Sequence, residues 1–385
     1  MRSCSILPAW LAVVLTLLPL IGSEAGSAGR AYAEEKEQQP AIRFTIAVQA
    51  SEEASLATAE TFLRKDWERA WRGAEAKEQT ADTVVYTDSF VNVEDSGAVR
   101  KYALREDGVL LELGPAPARS VELPAGIRRQ WLRQAAKLRK RHYGEAVPWS
   151  EAKSQVPLKS YVDVVDLETG LSFRAQRRAG SSHADVQPLT KSDTAVMKQI
   201  YGGTWSWKRR AILVRTEGRP PIASSMHGMP HGGDGIPDND FSGHFCIHFL
   251  GSSTHRSGQE DMAHQLMVHK AAGKLQELLR PATPARLADA LFVALHQQDG
   301  ALLRAVLHGA PAPTLEAFGK LMQTIEGVRA ESADGSVDFA ESLSAEVAVK
   351  ATLDGRGGGL KRQTFRVKFA RDTVSSPWTI SGMDM

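Results

Sequence analysis

The sequence is poor in cysteine, with Cys4 and Cys246 the only two in 385 residues. That excludes a disulfide framework and the paired-cysteine sites that hold structural zinc. A surplus of one charge is missing too, since 47 Lys and Arg stand against 45 Asp and Glu for a net charge of +2. So even a balance leaves no electrostatic footprint for nucleic acid, and no nucleic-acid partner is expected. Long apolar runs are absent once the N-terminus is passed, which leaves the body of the chain with no candidate for a membrane-spanning helix.

The N-terminus itself reads as a targeting segment. Arg2 precedes an apolar run from Ile6 to Ile21, and Ala31-Tyr32-Ala33 forms an A-x-A site before the acidic Glu34-Glu35. This pattern predicts a secretory signal peptide over residues 1–33. The run contains Pro8 and Pro19 and falls short of the roughly 20 residues that a spanning helix needs, so no transmembrane segment is expected after cleavage. Cys4 would leave with the signal, and Cys246 would stand alone. An unpaired cysteine in an exported protein is an intermolecular link, a reactive thiol or a buried inert residue.

The length suggests two or three domains, at about 150 residues each. Residues 41–122 read as a small α+β domain. It has a strand at Ile42 to Val48, then a helix opened by Ser51 and striped with Leu56, Ala59, Phe62, Leu63, Trp67 and Ala70. Further strands follow at Thr83 to Val93, Val99 to Arg105 and Val109 to Leu113. Residues 123–156 are a connector around a basic helix, Ile127 to His142, whose Arg and Lys face suits either an anionic wall polymer or plain solvent. Residues 285–385 place helices at Pro284 to Gln298, Ala301 to His308 and Thr314 to Glu326 before strands near Ser336 to Ala340, Ala345 to Leu353, Gln363 to Ala370 and Pro377 to Ser381. That order is an α+β plan similar to the cone-shaped domains of the nuclear transport factor 2 kind.

The chemistry concentrates in residues 157–280. Tyr161 to Ala175 is a β-hairpin pattern turning at Gly170, and Thr190 with Asp193 caps a short helix. Ser181 to Asp185 reads as a loop and Gln259 to Leu279 as one long helix. In Gly243-His244-Phe245-Cys246-Ile247-His248, strand alternation would put His244, Cys246 and His248 on one face and Phe245 and Ile247 on the other. A thiol beside an imidazole has a proton acceptor at hand and can serve as a nucleophile. The Gly-, Pro- and Asp-rich stretch from His227 to Gly243 is too long and too rich in turn residues for a regular element, and loops of that length commonly serve as lids or binding segments.

With Met226-His227-Gly228 upstream and Gly243 to His248 downstream, the stretch resembles the L,D-transpeptidase catalytic domain family, as a distant branch, over about residues 157–256. The resemblance implies a β-rich domain flanked by the two α+β domains, and an exported, cell-wall-associated enzyme acting on the peptide stems of peptidoglycan by cysteine acyl transfer or hydrolysis. It makes Cys246 the nucleophile and His227 the general base, with the Gly228 carbonyl holding the tautomer and His244 shaping the site floor. Phe245, His248, His183 and Asp185 are candidates to line the substrate. Phe245 stands where the family has glycine, Gly243 where it has serine and His248 where it has arginine. No cofactor and no metal are implied.

Two other readings compete. Eight of the eleven histidines lie between His183 and His269. His183-x-Asp185 also resembles part of the zinc signature of D-alanyl-D-alanine carboxypeptidases, with His227, His231 or His248 to complete the ligands. His255, His264 and His269 read as loop or helix-surface residues. A non-catalytic wall-binding protein is the third class. Trp205 and Trp207 read either as substrate contacts or as packing under the sheet.

Overall fold

The computed structural model describes residues 42–78, 83–114, 119–233, 235–254, 258–331, 333 and 335–384. The signal-peptide expectation, residues 1–33, lies outside these, as does His255. The described residues form one compact unit of mixed α+β class, built on three sheets. No helix among the described residues is long and apolar enough to cross a membrane.

The first sheet has seven strands: β1 (Arg43–Gln49), β2 (Ala57–Phe62), β3 (Ala76–Glu78), β4 (Ser89–Asp95), β5 (Ala98–Leu104), β6 (Leu110–Glu112) and β7 (Arg119–Val121). Its order is β2-β1-β4-β5-β6-β7-β3. The helix expected from Ser51 is replaced by β2, and only α1 (Lys65–Arg72) is helical there. The reason is pairing: β2 runs antiparallel to β1, with Thr45 and Thr61 hydrogen-bonded across the pair at 2.9 Å, and such cross-strand contacts outweigh a weak helical stripe. The basic helix α2 (Ala125–His142) is not a free connector. It buries Trp131, Ala135 and Leu138, and Trp131 packs on Phe44 and Trp67 at centroid distances of 5.6 and 5.3 Å. Arg129, Arg133, Lys137, Lys140 and Arg141 remain exposed.

After α3 (Trp149–Gln155), six strands close into a barrel: β8 (Tyr161–Asp166), β9 (Ser172–Ala179), β10 (Ala184–Pro188), β11 (Arg209–Arg215), β12 (Ile222–His227) and β13 (Phe245–His248), in the order β10-β13-β12-β11-β8-β9. Helix α4 (Lys191–Ile200) carries the expected Thr190–Asp193 capping box. Strand alternation divides the barrel. Val164, Phe173, Val186, Ile212, Met226, Phe245 and Ile247 form one apolar cluster. Val165, Leu213 and Ala223, on the opposite parity, join a second cluster that reaches both outer sheets.

The long helix expected from Gln259 is two helices, α5 (Met262–Ala271) and α6 (Leu275–Leu279). Gly273, at φ +65°, breaks them, and a Cβ there would lie 2.4 Å from the Tyr143 ring. Helices α7 (Pro284–Gln297), α8 (Gly300–Val306) and α9 (Ala312–Thr324) lead into the antiparallel sheet β14 (Ile325–Ala330), β15 (Ser344–Gly355), β16 (Leu360–Ala370) and β17 (Thr379–Asp384). Its first strand is Ile325–Ala330, not the expected Ser336 to Ala340, because Ile325 and Val328 find buried places beside α7 while Ser336 to Asp338 stay exposed. Lys270 on α5 joins the parts: it is buried and bonded to Glu168 of the barrel hairpin at 2.6 Å and to Asp299 at 2.7 Å.

Candidate functional site

The site lies on the face of β10, β12 and β13 that turns away from the Phe245 cluster. Asp185 is the cross-strand neighbour of Cys246, and Ser225 that of His248. The parity that sends Phe245 and Ile247 into the core sends Cys246 and His248 to this second face, as the alternation implies. Asp185 belongs to strand β10 rather than to a loop. A register shift between Asp185 and Val186 against β9 lets the strand serve both neighbours.

Four buried side chains back the sulfur. His183 places Nε2 3.3 Å from Asp185 Oδ1 and Nδ1 2.7 Å from the Ser253 carbonyl. His248 stacks between His183 and His264, with ring centroids 4.4 and 3.7 Å away, and bonds Ser252 Oγ at 3.1 Å. His264, from α5, bonds Ser225 Oγ at 2.9 Å. His264 is thus a wall residue of the site and not a helix-surface residue, whereas His269 bonds the Gln265 carbonyl of its own helix at 2.8 Å.

The front is made by the loop. His231 Nε2 lies 3.4 Å from Cys246 Sγ, and His231 Nδ1 lies 3.0 Å from the Met229 carbonyl. That carbonyl can only accept, so Nδ1 carries the hydrogen and Nε2 presents its lone pair to the sulfur. His231 and His244 exchange backbone hydrogen bonds of 3.0 and 2.7 Å, and their rings lie 4.4 Å apart. Gly243, at φ +93°, makes this possible, because a Cβ there would sit 2.3 Å from the His231 carbonyl; a serine at this position would push the loop off the strand. The loop is held at its far end by the buried Asn239, which donates to the Pro188 carbonyl at 2.8 Å, and by Phe241 in the barrel core.

These placements revise several sequence expectations. His231, and not His227, is the imidazole within hydrogen-bonding reach of the thiol. His227 is buried at the end of β12 with its Nδ1 unpartnered, and burial pushes its pKa down to about 2. Gly228 donates its N–H to the Ser206 carbonyl and packs under Tyr201; its smallness serves that close approach. His244 stands partly buried at the rim instead of the floor, 3.7 Å from Asp185 Oδ1. Phe245 is fully buried between Phe173 and Phe241 and cannot line a substrate. His183, His248 and Asp185 form the wall behind the sulfur, each buried, rather than an open substrate groove.

Sequence reasoning also passed over Arg209. It faces His227 across β11 and β12 and bonds Asp261 at 2.6 Å, and its charge favours the thiolate of Cys246. A permanent cation therefore stands near the site. Trp205 packs edge-on against Phe241. Trp207 is 48% exposed and covers His227 and His231 at 4.7 and 5.3 Å.

Cys246 itself is buried, and burial followed by the Asp185 carboxylate, 3.8 Å from Sγ, pushes the thiol pKa well up. The resting group is the neutral thiol. Among the described residues three sets of side chains have geometry for a metal ion, and all three contain Cys246; none is a His-Asp-His set that leaves the cysteine idle. Compared with known proteins, the chain matches no family model, no curated protein and no solved structure.

Proposed function

We propose that this chain is an exported cell-wall acyltransferase of the L,D-transpeptidase kind, with Cys246 as nucleophile and His231 as its base. The observation that carries the reading is the 3.4 Å approach of His231 Nε2 to Sγ, with Nδ1 of the same ring engaged by Met229. His231 takes the thiol proton as sulfur attacks the peptide carbonyl, then gives it to the departing amine. The thioester is resolved by a second amine in transfer, or by water in hydrolysis. Because burial keeps the proton on sulfur at rest, the thiolate forms only as the base accepts it. Arg209 supports the negative sulfur, and the exposed Trp207 indole offers an apolar face to the peptide stem. The exposed arginine and lysine row of α2 suits anionic wall polymer.

The test is turnover of a tetrapeptide-stem donor with an amine acceptor. Cys246→Ala is expected to remove it on the scale of the roughly million-fold loss that deleting a hydrolase nucleophile causes. Unchanged turnover in Cys246→Ala rules the reading out. The low exposure of Cys246, 3%, favours a second reading, a wall-binding protein whose site stays closed. Such a protein would cosediment with isolated wall equally well with or without the thiol, and would turn nothing over.

A further inference from the structure

We infer that Cys246 Sγ, His231 Nε2 and a ring nitrogen of His227 form a three-ligand site for a thiophilic divalent cation of the zinc class. The three ligand atoms lie within 4.8 Å of one another. Zinc bonds of about 2.3 Å to sulfur and about 2.0–2.1 Å to imidazole, arranged tetrahedrally, put sulfur and nitrogen about 3.5 Å apart. The Sγ to Nε2 separation is 3.4 Å, so this edge of the tetrahedron needs no rearrangement.

The surroundings fit ligation. His231 Nδ1 donates to the Met229 carbonyl, the outer-shell bond by which ligating imidazoles are usually oriented. His227 is 4% exposed and its Nδ1 has no hydrogen-bond partner, an unfavourable state for a buried polar atom and a sign of coordinating capacity the protein itself does not use. Two other sets converge on the same sulfur, one through His183 and His248 and one through Asp185 and His244. Those side chains are already engaged with Ser253, Ser252 and each other, which favours the His227 and His231 pair. The fourth position of the tetrahedron is left for water. On binding, a metal–sulfur bond replaces the S–H bond and the thiol proton passes to solvent. The Asp185 carboxylate, 3.8 Å from Sγ, offsets part of the added charge.

The binding rests on geometry alone. Its consequence, a nucleophile withheld while the ion is bound, rests on the acyl-transfer reading. The experiment is an anaerobic Co²⁺ titration of the reduced, metal-stripped full chain, followed by Zn²⁺ and by iodoacetamide with the modified cysteine mapped by peptide mass. About one equivalent of Co²⁺ should raise a near-ultraviolet sulfur-to-cobalt charge-transfer band, as expected for a single tetrahedral thiolate site. Zn²⁺ should displace it, and either ion should shield Cys246 from alkylation. Cys246→Ser should abolish the band. His227→Gln and His231→Gln should each weaken Co²⁺ by more than the roughly 10- to 100-fold that outer-shell changes cost, while His269→Gln leaves it unchanged. No band and undiminished alkylation in the wild-type chain overturn the proposal, and this arm decides even if a variant fails to fold. A band that survives both histidine substitutions and vanishes in Asp185→Asn overturns the ligand assignment. Turnover of the metal-free protein reports on acyl transfer separately, so either idea can fail without the other.

Discussion

The N-terminal sheet and the barrel each bury a face under a helix, and they fill it on opposite principles. Under α2 the sheet packs Phe44, Trp67 and Trp131 within 5.9 Å of one another, a face held mainly by apolar burial and ring contacts, with few polar atoms to match. Under α5 the barrel places His183, His248 and His264 in a continuous stack against Cys246 and Asp185. Every polar atom of that second face must be matched, or else it costs stability. The aromatic face is filled by large apolar rings; the imidazole face is filled by polar groups and is the one on which the proposed acyl transfer depends.

The comparison can be broken from either side. The largest effect is expected on the barrel. His231→Gln should lower acyl transfer by about 10²- to 10⁴-fold, the usual contribution of a general base, with little change in the denaturation midpoint because His231 sits on a half-exposed loop. If His227→Gln has the larger effect on turnover and His231→Gln none, the assignment of the base reverses. On the aromatic side, Trp131→Ala should cost about 3–5 kcal/mol of stability by urea denaturation and leave any activity of the folded fraction unchanged.

Acid sharpens the contrast. Burial lowers the pKa of His227 to about 2 and that of His264 well below its ordinary value. The folded state therefore resists protons that the unfolded chain accepts. Stability from these groups is complete above about pH 6.5 and is lost as pH falls below it, by about 1.4 kcal/mol per pH unit for each histidine. His142, under the aromatic sheet, is lowered to about 4 and adds to the loss only down to that value. Denaturation midpoints across this range should show a slope that His264→Asn reduces by one proton; an unchanged slope would mean that the imidazole stack is not buried as described. The smallest effect is expected at Trp207→Ala, which removes an exposed indole from above His227 and His231 and should raise KM by no more than about tenfold, the equivalent of roughly 1.4 kcal/mol.

Much of this was legible in the sequence where a local rule decided it. Alternation alone separated Phe245 and Ile247 from Cys246 and His248, and Thr190 with Asp193 marked the start of α4. The β8–β9 hairpin followed from its turn at Gly170. What escaped was set by distant contacts. The pairing of β2 with β1 overrode a helical stripe, and the packing of α2 on Phe44 and Trp67 turned a basic connector into part of a core. In the site, the resemblance made His227 the base, whereas it is His231 that lies within hydrogen-bonding reach of the thiol. The loop folds back at Gly243 and exchanges backbone bonds between His231 and His244, so the nearer histidine in sequence becomes the nearer in space. A His-Gly pair occurs at both 227 and 231, and the second was the overlooked signal. His264 and Arg209 carry no local mark, since only the docking of α5 and the register of β11 on β12 bring them in.

The central claim is that the Cys246 thiol reacts because His231 takes its proton. Intact-mass measurement after exposure of the metal-free chain to a carbapenem tests it most directly. The account predicts one covalent adduct, mapped to Cys246, absent in Cys246→Ala and formed far more slowly in His231→Gln. A wild-type chain that stays unmodified, or an adduct that forms at the same rate without the imidazole at position 231, would contradict it.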